Sequence, residues 1–410
     1  MPQDLTVLRN ARFRRLFLAR TLSLLGSAMA PIALAFGVLD GSGGSATALG
    51  LTLAGRSVAQ VLLLLLGGVL ADRLPRFKLM VTADLVAFAA SAAVAALVLV
   101  GDPPLVAFVS LNVLAGAASA LFLPAGRGAV VQIVERDMLQ SANALLRLSQ
   151  NSASIIGIAI GGVLVATVGA GWALAFDAAT FLISAALVAG IRVPNTVRAT
   201  KSTMLADLRD GWIEFTSRRW VWLVVAQFAM VNLCFTAINV LGPVTAKQHL
   251  GGAGAWAVIT TANAIGLVGG SLVAMRIRSS RPIRTAVLAT FGFLPPFLLL
   301  GLGAPVWLIA ASMLINGVCV NIFEVLWDTT LQSHVPEKSI SRISSYDAMA
   351  SFVLGPVGLI LVGPTSNTIG VPATLLGAGA LLTIVTVATF AMRSVRKVPA
   401  KAPIDATPKP

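Results

Sequence analysis

Charged residues are scarce in this sequence of 410 residues: Asp, Glu, Lys and Arg together make up 11% of it. An ordinary soluble domain contains about 25%. Hydrophobic residues make up 57% of the chain, and its mean hydropathy is +0.89. This composition excludes an ordinary water-soluble domain and indicates a protein embedded in a lipid bilayer. We therefore expect the lipid bilayer to be a partner of this protein.

Cysteine and histidine are also rare, with two residues of each kind. Cys234 and Cys319 lie within apolar segments, where we expect them to serve packing rather than a disulfide framework or a metal site. His249 and His334 have no metal-ligand spacing, and the sequence contains no Gly-rich phosphate loop with its lysine. We therefore expect no enzyme, no metal, no bound cofactor and no direct coupling to a nucleotide.

Long apolar segments occupy most of the chain. A helix needs about 20 predominantly apolar residues to cross a bilayer, and the sequence predicts twelve such spans. They are 16–38, 46–71, 79–100, 104–125, 145–168, 172–191, 220–246, 255–275, 284–303, 306–331, 343–363 and 371–392.

The basic residues predict the orientation of these spans. All but three of the 30 Lys and Arg residues fall at one side of the predicted membrane; Arg20 and Arg56 lie within spans, and Lys247 lies at the other side. Positive residues mark the cytoplasmic side, so we expect a multi-pass protein of the cell membrane with both termini in the cytoplasm. This topology accounts for the net charge of +14 and the pI of 11.2 without a nucleic-acid partner.

The two halves of the chain resemble each other. "GGVLADRLPR" at 67–76 returns as "GGSLVAMRIR" at 269–278, and each stretch closes the second helix of a six-helix half. The sequence thus predicts two pseudo-symmetric bundles, 1–192 and 220–393, and a disordered cytoplasmic tail at 394–410. The connector at 193–219 is predicted to be cytoplasmic, either as an amphipathic helix at the membrane surface or as a linker packed on the bundles.

The loop after the second span carries a recognisable motif, formed by Gly68, Asp72, Arg73, Arg76 and Lys78. In a chain of twelve spans and two halves, it resembles the cytoplasmic signature of the major facilitator superfamily. The stretches "FRRLFLARTLSLLGS", "SANAL", "FDAATFLISAAL" and "HVPEKSISRISSYD" resemble the macrolide-efflux and siderophore-export branch of that superfamily. This resemblance covers almost the whole chain and implies the major facilitator fold and a transport function.

The charged loop is also a candidate cytoplasmic gate. Asp72 lies at a helix end, where its carboxylate is able to accept hydrogen bonds from Arg127 or to cap the eleventh span near Asp347. Ion pairs at such a seam hold two domains in one arrangement and release them in another. The alternative is a loop that only anchors the topology. The candidate gate residues are Gly68, Asp72, Arg73, Arg76, Arg127 and Asp347.

The fifth span contains "GIAIGG", in which Gly157, Gly161 and Gly162 match the antiporter motif of the superfamily while Ile158 replaces its proline. Small residues at this spacing let helices approach closely in any membrane bundle. The sequence therefore predicts a helix-packing motif here and leaves antiport open.

Polar residues recur on single faces of four spans, at intervals of three, four, seven or eight residues. We expect these stripes to face one wet cavity; in the superfamily that this chain resembles, the same spans surround the transport pathway. Asn112, Asn263 and Asn316 either line the path or bridge helices. The candidate cavity residues are Ser27, Gln60, Asn112, Asn232, Asn239, Asn263, Asn316 and Asn321.

Charges within the spans are the candidates for proton coupling. Arg56 is expected near the middle of the membrane, where it needs a partner or water. Glu324, in the tenth span, is the carboxylate that we expect to exchange a proton, with Arg20 or Arg56 as its neighbour; a fixed ion pair, or a Glu that reaches cytoplasmic water, is the alternative. Asp177 is expected to be a helix-start or interfacial contact, and Asp84 to belong to the cytoplasmic charge cluster.

The sequence therefore predicts a monomeric secondary transporter that opens a central cavity alternately to either side. On the resemblance, it exports an amphipathic small molecule such as a drug, an antibiotic or a siderophore, with the proton gradient as its energy source. A facilitator or importer of a small metabolite is the alternative within the class, and a non-transporting membrane sensor is the alternative outside it.

Overall fold

The computed structural model describes residues 7–41, 44–101, 104–135, 138–193, 212–213, 215–277, 279–335, 347, 349–351 and 353–399. Within these residues the regular structure is helical, and twelve helices are long and apolar enough to cross a membrane. The all-α architecture with twelve spans, predicted from hydropathy, is confirmed.

The first half of the chain forms six of these helices. Asn10 begins the first by accepting hydrogen bonds from the backbone N–H groups of Arg12 and Phe13, at 3.0 and 3.3 Å. Ser45 begins the second by accepting from the N–H of Ala48, and such caps satisfy donors that a helix start leaves free. The helices are α1 (Ala11–Asp40), α2 (Ala46–Arg73), α3 (Arg76–Val100), α4 (Leu105–Ile133), α5 (Leu139–Val168) and α6 (Ala170–Ala189).

The second half follows the same plan with local irregularities. A π-helical turn, Ala246–Leu250, extends the seventh span. A 3-10 turn, Thr290–Phe293, interrupts the ninth where Pro295 and Pro296 begin a new helical segment, because proline lacks the N–H that would continue the old one. The helices are α7 (Arg219–Thr245), α8 (Ala253–Arg276), α9 (Pro282–Gly301), α10 (Val306–His334), α11 (Gly355–Ile369), α12 (Val371–Ala391) and the short α13 (Arg393–Arg396).

Glycine makes the last turn of each half possible. Gly169 joins α5 to α6 with φ of 94°, and Gly370 joins α11 to α12 with φ of 87°. Residues with a Cβ rarely adopt such values. Equivalent junctions in the two halves thus use the same device, in agreement with the repeat seen in the sequence.

The helices group into two compact units. The first consists of Met1–Thr200, Asn239–Thr261 and Leu359–Ile369, and the second of Lys201–Ile238, Ala262–Gly358 and Gly370–Pro410. The division follows packing rather than chain order, because one end of each of α7, α8 and α11 packs with α1–α6. The predicted bundles, 1–192 and 220–393, follow chain order instead.

Each unit has an apolar core of its own. In the first, Phe13 and Leu16 of α1 pack with Met80 of α3 and with Ala125 and Ala129 of α4. The second core includes Val221 of α7, Ile283 of α9, Phe323 and Trp327 of α10, and Val395 of α13. These cores hold the helices at the ends where the charged loops begin.

The ends of α4 and of the eleventh span are among the helix boundaries that differ from those predicted. α4 runs on through Pro124 to Ile133, well past the predicted end at 125, since neighbouring helices tolerate a proline within a membrane helix. The eleventh span ends at Ile369 rather than at the predicted 363, because the chain stays helical until Gly370 turns it; the predicted start at 343 lies outside the described residues.

The connector and the tail are described only in part. Most of the predicted connector, 194–211, lies outside the described residues, as do residues 400–410 of the tail. The expectation of disorder from residue 394 is wrong at its start: Arg393–Arg396 form α13, because the Val395 side chain is fully buried in the second core.

Candidate functional site

Two buried carboxylates lie in the seam between α3 and α6. Ser184 of α6 donates a hydrogen bond to Asp84 of α3 at 2.7 Å, and Ser91 of α3 donates one to Asp177 of α6 at 3.2 Å. Asp84 is 3% exposed and Asp177 is 2% exposed. Because seven residues make about two helical turns, each helix carries one Asp and one Ser on the same face, and the antiparallel pair forms two reciprocal contacts.

The seam corrects two expectations. Asp177 is neither a helix-start nor an interfacial residue, because α6 begins at Ala170 and packing encloses the side chain. Asp84 does not belong to a cytoplasmic charge cluster, because it is buried against Ser184. The signal that was missed is the shared spacing of Asp84 to Ser91 and of Asp177 to Ser184, which places an acceptor and a donor on one face of each helix.

Asp177 differs from Asp84 in its surroundings. Its Oδ1 atom is buried and has no hydrogen-bond partner within the described part of the chain. The carboxylate lies against the backbone of α1 at Gly26, where any Cβ would collide with Asp177 and with the Thr180 hydroxyl. The Arg56 guanidinium of α2 interacts electrostatically with Asp177. The structure therefore places a positive and a negative charge near each other inside the first unit.

Arg56 is held where α2 and α4 approach closely. The backbone of Arg56 packs against Gly116 of α4, where a Cβ would collide with the Arg56 carbonyl oxygen. Arg56 and Gln60 of α2 are half-buried, as are Arg20 and Ser27 of α1. Arg20 has an interaction of its own in the structure.

The polar residues predicted on α7 and α10 have different degrees of exposure. Asn232 is half-buried and donates to the Ser351 carbonyl oxygen at 2.9 Å, whereas Asn239 is exposed. Asn321 is half-buried, and its Oδ1 atom has no partner among the described residues. The Glu324 side chain is exposed, and the like charge of Asp328, about one turn further along α10, acts on it.

Of the three asparagines that the sequence left open, two lie at a contact between helices. Asn263 of α8 donates to the Asn316 side chain at 2.9 Å and to the Met313 carbonyl oxygen at 3.0 Å, which ties α8 to α10. The Asn316 Nδ2 atom is buried without a partner in the described part of the chain. Asn112 is buried and donates to Phe108 within its own helix.

The predicted gate residues are described only in part. Gly68, Asp72 and Arg73 lie in the last turns of α2, and Arg127 lies in α4, but their side chains are outside the described part. Arg76 starts α3, is half-buried and has an interaction of its own. The predicted gate contacts of Asp72 therefore remain a prediction.

Asp347, the remaining gate candidate, is packed against α10. The Trp327 indole donates to its Oδ2 atom at 2.9 Å, and the Ser351 hydroxyl donates to its Oδ1 atom at 3.3 Å. Burial raises the pKa of Asp347, and the like charge of Asp328 raises it further, whereas the two hydrogen bonds lower it. These contacts lie within the second unit.

A second group of contacts, which we call the far-side clasp, lies at the end of the first unit where α1 gives way to α2. It consists of Asp40, Thr47, Lys247 and Asn367. The Lys247 ammonium pairs with the Asp40 carboxylate at 2.6 Å and donates to the Leu39 carbonyl oxygen. Asn367 of α11 donates to the Thr47 hydroxyl of α2 at 3.2 Å. Residues of the second half of the sequence are thereby bonded to the first.

Glycines bring the backbones together beside the clasp. A Cβ on Gly50 of α2 would collide with the Leu359 carbonyl of α11, and one on Gly363 with the backbone of Thr47. The sequence had singled out Lys247 only as a positive charge on the unexpected side. It held no signal for Asp40, because the two residues are far apart along the chain.

The glycine motif of α5 lies against two helices. Gly157 meets Leu25 and Ala28 of α1, and Gly161 meets Met29. Gly162 faces the other way, toward Ala257 at the start of α8. The three glycines therefore allow α5 to pack closely against α1 and α8.

The sequence is similar to those of known membrane transporters. The family model described as "Transmembrane secretion effector" matches residues 3–410. The chain is 26% identical over 377 residues to the multidrug efflux pump Tap of Mycobacterium tuberculosis, covering 84% of this chain and 83% of Tap. It is 26% identical over 388 residues to the enterobactin exporter EntS of Escherichia coli, covering 92% of each.

Solved structures show the same fold. The structure of a mutant form of the nucleoside transporter NupG matches this chain with a TM-score of 0.77 at 13% sequence identity. The match covers 93% of this chain and 100% of the NupG chain. A bacterial homologue of the lysosomal transporter Spinster has a TM-score of 0.73 at 13% identity, covering 97% of this chain and 99% of its own. At these identities the likeness concerns the fold alone.

Proposed function

This chain belongs to the transmembrane secretion effector family of the major facilitator superfamily, and from this premise we propose that it exports an amphipathic small molecule across the membrane. The family makes it a multi-pass membrane transporter. The names of the relatives, a multidrug efflux pump and a siderophore exporter, support the outward direction and the class of cargo. We propose transport without catalysis, by a single chain with no bound cofactor.

We propose that both termini lie in the cytoplasm and that the far-side clasp faces the outside. Support comes from the positive-inside distribution of Lys and Arg. Labelling of Asp40→Cys by a membrane-impermeant maleimide in intact cells tests this orientation. Labelling that requires permeabilised cells would reverse it.

Export is proposed to be driven by protons, and one observation carries this part of the proposal. Asp177 and Arg56 bring opposite charges together inside membrane-spanning helices, and one carboxylate oxygen of Asp177 has no hydrogen-bond partner among the described residues. An ionisable group within a transmembrane segment is costly and is a functional candidate by default. A shift of α2 against α6 that changes the distance between the two charges would change the affinity of the carboxylate for a proton.

Glu324 remains a second candidate for proton exchange. Its side chain is exposed, and the like charge of Asp328 acts on it. We propose that Asp177 responds to the conformation of the first unit, whereas Glu324 exchanges protons with solvent.

Flux in proteoliposomes tests the proposal, with ethidium as a fluorescent amphipathic probe. With an inside-acid pH gradient, we expect the wild-type protein to accumulate ethidium inside the liposomes and a protonophore to abolish the accumulation. Asp177→Asn removes the negative charge that interacts with Arg56, so we expect gradient-driven accumulation to fall at least about tenfold, which corresponds to a free energy of about 1.4 kcal/mol. Downhill exchange of ethidium should persist.

Asp84→Asn is the matched control, because Asp84 is buried in the same seam and bonded to a serine, as Asp177 is, whereas Arg56 interacts electrostatically with Asp177. It should keep its response to the gradient. Wild-type ethidium flux that ignores the protonophore would refute proton coupling and leave transport standing. Absence of ethidium flux under any gradient, from protein that remains folded and inserted, would argue against a broad amphipathic cargo.

A further inference from the structure

A strongly basic cavity lies in the second unit, away from the charges described above. Its volume is about 490 Å³, and it opens where α9 begins and α12 ends. Five cationic side chains and one aromatic ring line it: Arg281, Arg284, Phe390, Arg393, Arg396 and Lys397.

The fold places these cations close together. Arg281 caps the start of α9, and the Arg284 guanidinium lies over the Phe390 ring, 5.8 Å from its centroid. α12 ends at Ala391, and the chain re-enters a helix at once as α13, which Val395 anchors in the apolar core. The cations at the end of the chain are therefore fixed by packing and do not belong to a loose tail.

Among the described residues the cavity has no counter-charge. The lining residues that the structure describes include no carboxylate, and none of the five cations forms an ion pair there. The five positive charges repel one another, so a bound anion would stabilise the cavity by reducing this repulsion. Arginine guanidinium groups match phosphate oxygens in geometry and bind them with two parallel hydrogen bonds.

The surroundings favour a lipid phosphate over a free one. About one turn from Arg284, Leu288 is 42% exposed, and about one turn before Phe390, Val387 is 52% exposed. Ile384, on the same helix, is 65% exposed. In a membrane such apolar faces are covered by acyl chains, and they run directly from the basic cavity.

We propose that this cavity binds the phosphate headgroup of an anionic phospholipid, whose acyl chains lie along the exposed faces of α9 and α12. Basic pockets between membrane helices on the cytoplasmic side bind such headgroups. The five cations then do more than set the topology, because they form a stereospecific site.

Binding of defined lipids to the full-length protein, delipidated in detergent and followed by native mass spectrometry, tests the proposal. We expect cardiolipin and phosphatidylglycerol to bind and phosphatidylcholine not to. Each basic residue near a membrane surface contributes about 1 kcal/mol toward anionic lipid, so Arg284→Gln/Arg393→Gln/Arg396→Gln should weaken binding on the order of 100-fold. The control Arg9→Gln/Arg12→Gln/Arg14→Gln removes the same charge from exposed positions and should change binding little.

Each alternative gives a distinct result. Equal losses in the two triple variants would show diffuse attraction to the basic surface and overturn the proposal. Displacement of the lipid by millimolar inorganic phosphate would identify a free-anion site and also overturn it. A photoactivatable phosphatidic acid, added to wild-type protein, should crosslink to 281–284 and 390–397; crosslinks elsewhere would refute the site even if the variants do not fold.

Discussion

The buried carboxylate of Asp177 needs a neighbouring group that stabilises its charge. Its carboxylate is 2% exposed inside a membrane helix, where an unpaired charge costs about 2.5–3.5 kcal/mol on insertion scales. Arg56 provides opposite charge, and Ser91 provides a hydrogen bond. The Oδ1 atom of Asp177 has no hydrogen-bond partner among the described residues. A proton can therefore bind to this oxygen while the hydrogen bond from Ser91 to the other oxygen is kept.

Asp347 gives a pH-dependent prediction at the same scale. Burial and Asp328 raise its pKa in the folded protein, so the neutral form is favoured by folding. The stability gained from that form is present below the ordinary pKa of 3.8 and is lost as pH rises through the folded pKa. Asp347→Asn stays neutral at every pH, and its amide oxygen still accepts from Trp327.

We therefore expect Asp347→Asn to raise the unfolding temperature at pH 8 and to leave it unchanged near pH 3. The size of the gain reports how strongly the folded protein disfavours the charged carboxylate. Thermal unfolding in detergent across this pH range measures it. A gain of the same size at both pH values would show that the charge is not its source, and Ser351→Ala, which keeps the carboxylate, is the control.

At the scale of helices, packing depends on glycines that allow two backbones to approach. In the first half Gly116 of α4 lies on the Arg56 backbone of α2, and in the second half Gly317 of α10 lies on Asn263 of α8. Equivalent helix pairs thus share one mode of contact. The contact in the first half also positions Arg56, which connects helix packing to the charges of the site.

Gly116→Ala should destabilise the protein, because its Cβ would collide with the Arg56 carbonyl oxygen. Overpacking of this kind costs about 1–3 kcal/mol, and displacement of Arg56 should lower gradient-driven flux as well. Gly377→Ala is the control, since a Cβ at that position in α12 meets open space. It should be neutral or stabilise by up to about 1 kcal/mol through helix propensity, and unchanged unfolding of Gly116→Ala would contradict the close contact.

For the whole molecule, the far-side clasp bonds segments from the two halves of the sequence. Its ion pair is weak by itself, because Lys247 is 38% and Asp40 is 59% exposed and exposed pairs contribute about 0–1 kcal/mol. Weak contacts suit a seam that must open, since alternating access requires each side of the transport path to open in turn.

Locking the clasp should stop transport. In a background with Cys234 and Cys319 replaced by alanine, we expect a short bifunctional crosslinker between Asp40→Cys and Lys247→Cys to reduce ethidium flux at least about tenfold. A cleavable linker should restore flux on reduction, and each single cysteine variant treated with the same reagent is the control. Full flux in crosslinked protein would show that this side does not open during transport.

The number and order of the membrane spans could be predicted from the sequence, because hydropathy acts locally and a bilayer demands about 20 apolar residues per crossing. The same holds for the twofold repeat and for Arg56 as a charge in need of a partner. The exact helix ends could not be predicted, as α4 shows by continuing through Pro124 to Ile133.

The partners of the charges could not be predicted. Nothing in the sequence indicated that Arg56 interacts electrostatically with Asp177 or that Lys247 pairs with Asp40. The expected neighbour of Glu324, either Arg20 or Arg56, stays a prediction. The sequence by itself determined which segments enter the membrane, since that depends on composition within about 20 residues. Only the tertiary structure decided which charges meet, because a contact between residues on different helices depends on how those helices pack and rotate.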